Sequence, residues 1–239
     1  MNNSKIEILS EMVESQFLPF VRRPGRYIGG EVNQVTKNLA QCDLTVGLCF
    51  PDVYEVGMSH TGLAIIYDVL NSLEKVAAER VFSPWIDAEQ VLRDENIGLF
   101  TLESKAAVKD FDVLGFSLTN ELCYTNVLNI LDLAGITLRS KGRSEDEPIV
   151  IAGGGMSNCC EPIAEFIDIF LLGEAEETIV KLAQLLMEHK SKGSKRNDIL
   201  LDVAAKFNFC YVPSLYKFEY DGDAIKSFEP IDETLPKRF

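Results

Sequence analysis

Three short stretches of this chain concentrate the residue types that could do chemistry. The first is Pro51-Asp52-Val53-Tyr54-Glu55-Val56-Gly57-Met58-Ser59-His60, the second Ser117-Leu118-Thr119-Asn120, and the third Gly153-Gly154-Gly155-Met156-Ser157-Asn158. Each follows an apolar run. Hydroxyls at the end of a buried strand must find partners, and glycines there let a flat ligand approach the backbone closely. The edge of a large cofactor fits that description. Each stretch also has a plainer use: a glycine run makes a turn, Ser and Asn cap helices, and His60 can be a hydrogen-bonded structural histidine.

Other chemistries fit less well. The third stretch reads GGGMSN and lacks the last glycine of GxGxxG, and no GKS or GKT sequence exists for a phosphate loop. With only His60 and His189 available, the latter at a helix end, a Ser-His-Asp or Cys-His nucleophile is not expected. The six cysteines (Cys42, Cys49, Cys123, Cys159, Cys160 and Cys210) contain no CxxC or CxxxCxxC, so free buried thiols are expected rather than a metal or iron–sulfur site.

The elements that must position these stretches follow from periodicity. Apolar runs at Leu44 to Phe50, Glu79 to Phe82, Gly98 to Leu102, Phe111 to Leu118, Pro148 to Ala152 and Ile167 to Leu172 read as strands. Between them, helical spacing marks Leu63 to Leu73, Asp87 to Arg93, Tyr124 to Leu131 and Ala175 to His189. The last of these carries Glu174, Glu176 and Glu177 at its start and Lys190, Lys192 and Gly193 at its end, as the helix dipole and a C′ glycine prefer. Strands apolar throughout, alternating with amphipathic helices, predict a Rossmann-like α/β fold: a mostly parallel sheet covered on both faces. Right-handed crossovers then bring the three stretches to one edge of it.

Residues 1–40 read as an N-terminal helix (Leu9, Met12, Val13 and Phe17 at helical spacing, ending before Pro19) and a link with turns at Pro24, Gly25, Gly29 and Gly30. The sheet domain occupies 41–195. Residues 196–239 read as a helix, a strand at Cys210 to Tyr216 and a hairpin turning at Asp221, Gly222 and Asp223. A formal charge of −14 disfavours wrapping around nucleic acid. Of two small basic clusters, Arg22 to Arg26 and Lys190 to Arg196, the second reads as a solvated loop. No apolar run approaches bilayer length and no signal peptide is recognisable, so a cytoplasmic protein is expected.

At the three stretches the sequence resembles the cobalamin-binding superfamily, with its D-x-H-x-x-G, S-x-L or S-x-T, and Gly-Gly patterns in the same order. Here they stand as Asp52-Val53-Tyr54-Glu55-Val56-Gly57, Ser117-Leu118-Thr119 and Gly153-Gly154. More specifically, the chain resembles the amino-terminal region of an uncharacterised family of radical SAM proteins with a cobalamin-binding domain. RYIGGEVNQV, FPDVYEVGMSHTGLAIIYDVLN, DVLGFSLTNELCYTNVLNIL, IAGGG, LLGEAEET and YVPSLY carry that resemblance, over most of residues 20 to 218.

The resemblance implies a bound cobalamin, with Asp52, Tyr54, Glu55 and Gly57 shaping its lower face and Ser117, Thr119 and Asn120 hydrogen-bonding its nucleotide tail. Gly153, Gly154 and Gly155 would make room for the tail. Beyond the next strand, Gly173, Glu174 and Glu176 would approach ribose or amide groups, or be solvated acids at a helix start. Tyr54 stands where related methyltransferases and mutases place a cobalt-binding histidine, so no histidine-on coordination is expected. The CxxxCxxC barrel that binds a [4Fe–4S] cluster and S-adenosylmethionine in that family is not in this chain. It is expected as a partner, in cis or in trans. The chain then reads as a cobalamin-holding module for methyl transfer or related radical chemistry. Its alternatives are a cofactor-free docking module and a flavodoxin-like flavin domain.

Overall fold

A computed structural model describes residues 3–222 and 224–237. Six strands form one sheet: β1 (Leu44–Phe50), β2 (Val76–Phe82), β3 (Val113–Ser117), β4 (Ile149–Gly153), β5 (Ile169–Leu171) and β6 (Cys210–Tyr211). Their order is β2-β1-β3-β4-β5-β6, parallel from β2 through β5, with β6 antiparallel to β5. The expected Rossmann-like α/β architecture is thus observed. Every residue of β1 and β2 is buried, the pattern of parallel strands covered on both faces. Fully buried side chains such as Leu114 and Ile130 each stabilise the core by roughly 1.5–3 kcal/mol.

Among the described residues, seven α-helices accompany the sheet: α1 (Asn3–Met12), α2 (Tyr54–Met58), α3 (Thr61–Ser72), α4 (Ile86–Asp94), α5 (Tyr124–Leu133), α6 (Thr178–Lys192) and α7 (Arg196–Lys206). From β1 the chain crosses through α3 to β2 on one side, then returns through α4 to β3 on the other. Right-handed crossovers place α3 and α4 against opposite faces. Helix α6 touches α3 and lies with it over the face that carries Leu48, Gly115 and Ser117. It ends as the sequence predicts, with Gly193 at φ 62° closing the last turn. After α1 a wide turn, Val13–Phe17, buries Val13 and Phe17 in the core. Among the described residues, no helix is long and apolar enough to cross a membrane.

Some sequence expectations are corrected. The strand expected at Gly98 to Leu102 is a doubled-back loop, in which Phe100 makes a lone antiparallel bridge to Ala107. Lys105, at φ 61°, turns the chain so that Thr101 bonds Ala106, and the segment reaches β2 through the Leu102 N–H to the Arg80 carbonyl and the Thr101 hydroxyl to the Glu79 carboxylate. The strand expected over Cys210 to Tyr216 is broken after Tyr211, because Pro213 has no N–H for the ladder and starts a tight turn. The hairpin follows as β7 (Tyr216–Asp221) and β8 (Ala224–Pro230), with Asp223 of its turn outside the described residues.

Arg196, read as part of a solvated loop, is buried and pairs with Asp168 at 2.6 Å. Four cysteines are buried as expected, but Cys159 is exposed and Cys42 half-buried. His189 does hydrogen-bond Ser194 and Asp202, at 2.9 and 2.8 Å, and by doing so ties the end of α6 to α7.

Candidate functional site

In open parallel sheets, ligands bind beyond the carboxyl ends of the strands where the strand order reverses. Here the reversal lies between β1 and β3, and there the rim opens into a slot of about 220 Å³. One face of the sheet forms its floor, with Val46 and Leu48 from β1, Val113 and Gly115 from β3, and Ile151 and Gly153 from β4. Leu63 and Ile66 of α3 and Ile179 of α6 form its walls. From Ser117 at the rim to Val113 at the far end is the length of β3, about 13 Å at the usual rise of a strand.

Two glycines keep this floor low. A Cβ on Gly115 would meet nothing closer than Leu48 Cδ2 at 3.6 Å, and one on Gly153 nothing closer than Leu171 Cβ at 3.6 Å. Neither position is crowded, so a side chain would fit and would occupy slot volume. Gly154 differs. Its φ is 107°, and a Cβ there would sit 2.6 Å from the Leu118 carbonyl oxygen, so backbone geometry demands this glycine. The second and third stretches are stitched together at the same point, because Leu118 N–H donates to Gly153 O and Met156 N–H donates to Leu118 O.

The slot has a polar mouth. His60 caps α3 by accepting the Leu63 N–H at Nδ1 over 3.0 Å, so its other nitrogen, Nε2, carries the proton in the neutral ring. The ring also lines the slot beside Ser117. Neither Nε2 nor the Ser117 hydroxyl has a hydrogen-bond partner among the described residues. Exposed Glu174 and Glu176 border the opening on the α6 side.

All of the residues singled out in the sequence stand at or near the carboxyl rim, and the slot gathers only some of them. Ser117, Gly153, Gly154, Gly173, Glu174 and Glu176 line it. Thr119 and Asn120 are exposed beyond it and bond each other, and Gly155 opens the turn that carries Ser157. Asp52 turns its carboxylate back to accept the Val53 N–H at 2.7 Å. Helix α2 carries the rest of the first stretch toward β2. There Gly57 packs so closely on Phe82 that a Cβ would lie 2.3 Å from the ring, and Glu55 pairs with Arg23 and Arg26. The Tyr54 hydroxyl donates to Glu31, and burial together with that carboxylate pushes the phenol up to about 12. It is therefore neutral at ordinary pH.

Sequence reading overlooked Gly115 and gave His60 no place in the site. The signal for Gly115 was present, because a glycine inside a strand marks a place where something approaches the sheet closely. His60 gave no such signal, since helix capping accounts for one ring nitrogen and only the fold reveals what the ring faces.

Residues 62–213 match the family model described as radical SAM proteins, N-terminal. That stretch carries β2 through β6 and, with them, most of the slot. An uncharacterized protein of Methanocaldococcus jannaschii is 33% identical over 103 residues, which cover 42% of this chain and 21% of that protein. The chain thus spans about a fifth of the length of the curated relative it matches.

Proposed function

The chain belongs to the family of N-terminal regions of radical SAM proteins, and we propose that it is a cofactor-holding module whose cofactor is cobalamin. One observation carries this reading: the slot at the strand-order reversal, floored by Gly115 and Gly153, where a Cβ would take up the room a flat heterocycle needs. The loop patterns around Asp52, Ser117 and Gly153 support it. Cobalamin, when bound, supplies methyl-transfer or radical chemistry that side chains cannot.

The chain's own residues would bind, orient and shield. The apolar walls exclude water from the nucleotide arm, and the Ser117 hydroxyl and His60 Nε2–H offer hydrogen bonds at the mouth. Glu174 and Glu176 are placed to accept from ribose hydroxyls or amide groups. Tyr54 is neutral and bonded to Glu31, which removes it as a metal ligand. The barrel that carries the [4Fe–4S] cluster and S-adenosylmethionine would be the partner, in cis or in trans.

Titration with hydroxocobalamin, followed by the visible spectrum and by co-elution on gel filtration, tests the proposal. Corrin should co-elute with the chain at micromolar protein. Gly115→Leu should abolish retention while leaving the melting temperature near that of the parent. A chain that never retains corrin, or a Gly115→Leu variant that binds as well as the parent, overturns it.

A second reading has its own support, because the order β2-β1-β3-β4-β5 is also that of flavodoxin, whose flavin sits at the same reversal. It requires flavin absorbance in the isolated protein. A stable complex with a radical SAM subunit that contains no corrin would instead mark a docking module.

A further inference from the structure

The polar and apolar groups of the slot are divided by depth. The hydrogen-bonding side chains, Ser117, His60, Glu174 and Glu176, are at the mouth, at the end of β3 and at the starts of α3 and α6. Deeper, Val46, Val113, Ile151 and Ile66 present only methyl and methylene groups, and the strand backbone beneath them is taken up by the parallel ladder. A group with an N–H or O–H that reached this depth would lose its water and find no partner. Such a loss weakens binding by roughly tenfold or more.

We infer that the slot selects among cobamides by the polarity of their lower base, preferring an apolar benzimidazole to a purine that carries an exocyclic amine. The inference rests on the cobalamin reading and deepens it, by naming which member of that cofactor class the chain takes. Methyl substituents on the base add favourable contacts with Val113 and Ile151, whereas an amine at the same depth is left unpaired. The exclusion is chemical rather than steric, since a purine and a benzimidazole are both flat bicyclic rings of similar area.

Two spectral titrations of the full chain test this, one with hydroxocobalamin, whose base is dimethylbenzimidazole, and one with the cobamide whose base is adenine. Dimethylbenzimidazole should bind at least about tenfold more tightly. Val113→Thr, which sets a hydroxyl on the slot floor, should narrow that ratio to below about threefold by giving the amine a partner. If Val113→Thr does not fold, Ile66→Thr on the α3 wall serves the same purpose. Equal affinity for the two cobamides, or a preference for adenine, overturns the selectivity and leaves the cobalamin reading standing. A preference unchanged by a folded Val113→Thr or Ile66→Thr also overturns it, because discrimination would then arise elsewhere. Failure of both cobamides to bind removes the cobalamin reading and the selectivity with it.

Discussion

At the amino ends of β4 and β5 the charged side chains are buried against one another, and at the carboxyl ends of the same strands the polar side chains face an apolar slot without a protein partner among the described residues. Asp168, with no exposed side-chain area, accepts from Arg143 at 2.9 Å, Arg196 at 2.6 Å and the Val150 N–H at 2.7 Å, and also from Ser140. Both guanidiniums also donate to backbone carbonyls, Arg143 to Leu138 and Phe166, Arg196 to Glu147 and Pro148. Across the sheet, Ser117 and His60 Nε2 have no partner among the described residues, and glycines take the place of side chains. Buried polar groups must be paired, by the protein or by something the protein binds. One end of this sheet meets most of that demand internally, with Arg196 Nε left unpaired among the described residues, and the half-exposed Ser117 and His60 at the other end are open to solvent or to a ligand.

The comparison breaks first at Asp168. Replacing it with Ala strands two buried guanidiniums beside each other, and breaking a buried pair in this way typically costs about 3–5 kcal/mol. Asp168→Ala should therefore lower the denaturation midpoint further than any single substitution at the carboxyl rim. Asp168→Asn should lower it less, since an amide oxygen still accepts. A loss below about 1 kcal/mol for Asp168→Ala would mean that the amino end is not held by this network.

The carboxyl rim is held by backbone instead. Gly154→Ala places a methyl against the Leu118 carbonyl at a φ that L-residues rarely adopt, and should cost about 2 kcal/mol. A Cβ at Gly154 would point at Leu118, so a substitution there acts through the loop. Urea melts of Gly154→Ala measure the cost. A neutral result would show that the second and third stretches are not locked together there.

At the β2 edge the charged device recurs as Arg80 and Glu103, 2.6 Å apart and buried. Desolvation outweighs the pull of Arg80 and raises the Glu103 carboxyl to about 7. The folded chain then holds this proton more tightly than the unfolded chain. The stability it contributes is complete below the ordinary value of 4.5 and is lost as pH rises through about 7. Across that window stability should fall by about 3 kcal/mol, and Glu103→Gln should flatten the curve, as melts taken at successive pH values would measure.

These residues also explain what the sequence could and could not disclose. Strand β1 is legible to the residue, because an unbroken apolar run closed by Pro51 has one compact reading. The rim follows from topology alone, since parallel strands must present their following loops together. Side-chain direction within the first stretch is hidden. Whether Tyr54 faces a slot or Phe82 depends on α2, a helix of five residues too short to leave a periodic signature. Arg196 is hidden for a similar reason. A basic residue among Ser, Lys and Asn looks solvated until Asp168, 28 positions away in sequence, is placed beside it.

The smallest change in stability is expected at the position that matters most to the slot. Gly115 lies in ordinary strand backbone, and the nearest atom to an added Cβ, Leu48 Cδ2 at 3.6 Å, is in normal contact. Alanine there restricts the unfolded chain without straining the folded one, so Gly115→Ala should stabilise the protein by about 0.5 kcal/mol, readable as a small rise in melting temperature. The same methyl narrows the slot beside Leu48, so ligand retention should fall while stability rises. At the amino end no such separation is possible, because each polar group there supports the others. If Gly115→Ala instead destabilises the chain, the slot floor is packed as tightly as the rest of the core, and the contrast between the two ends of the sheet does not hold.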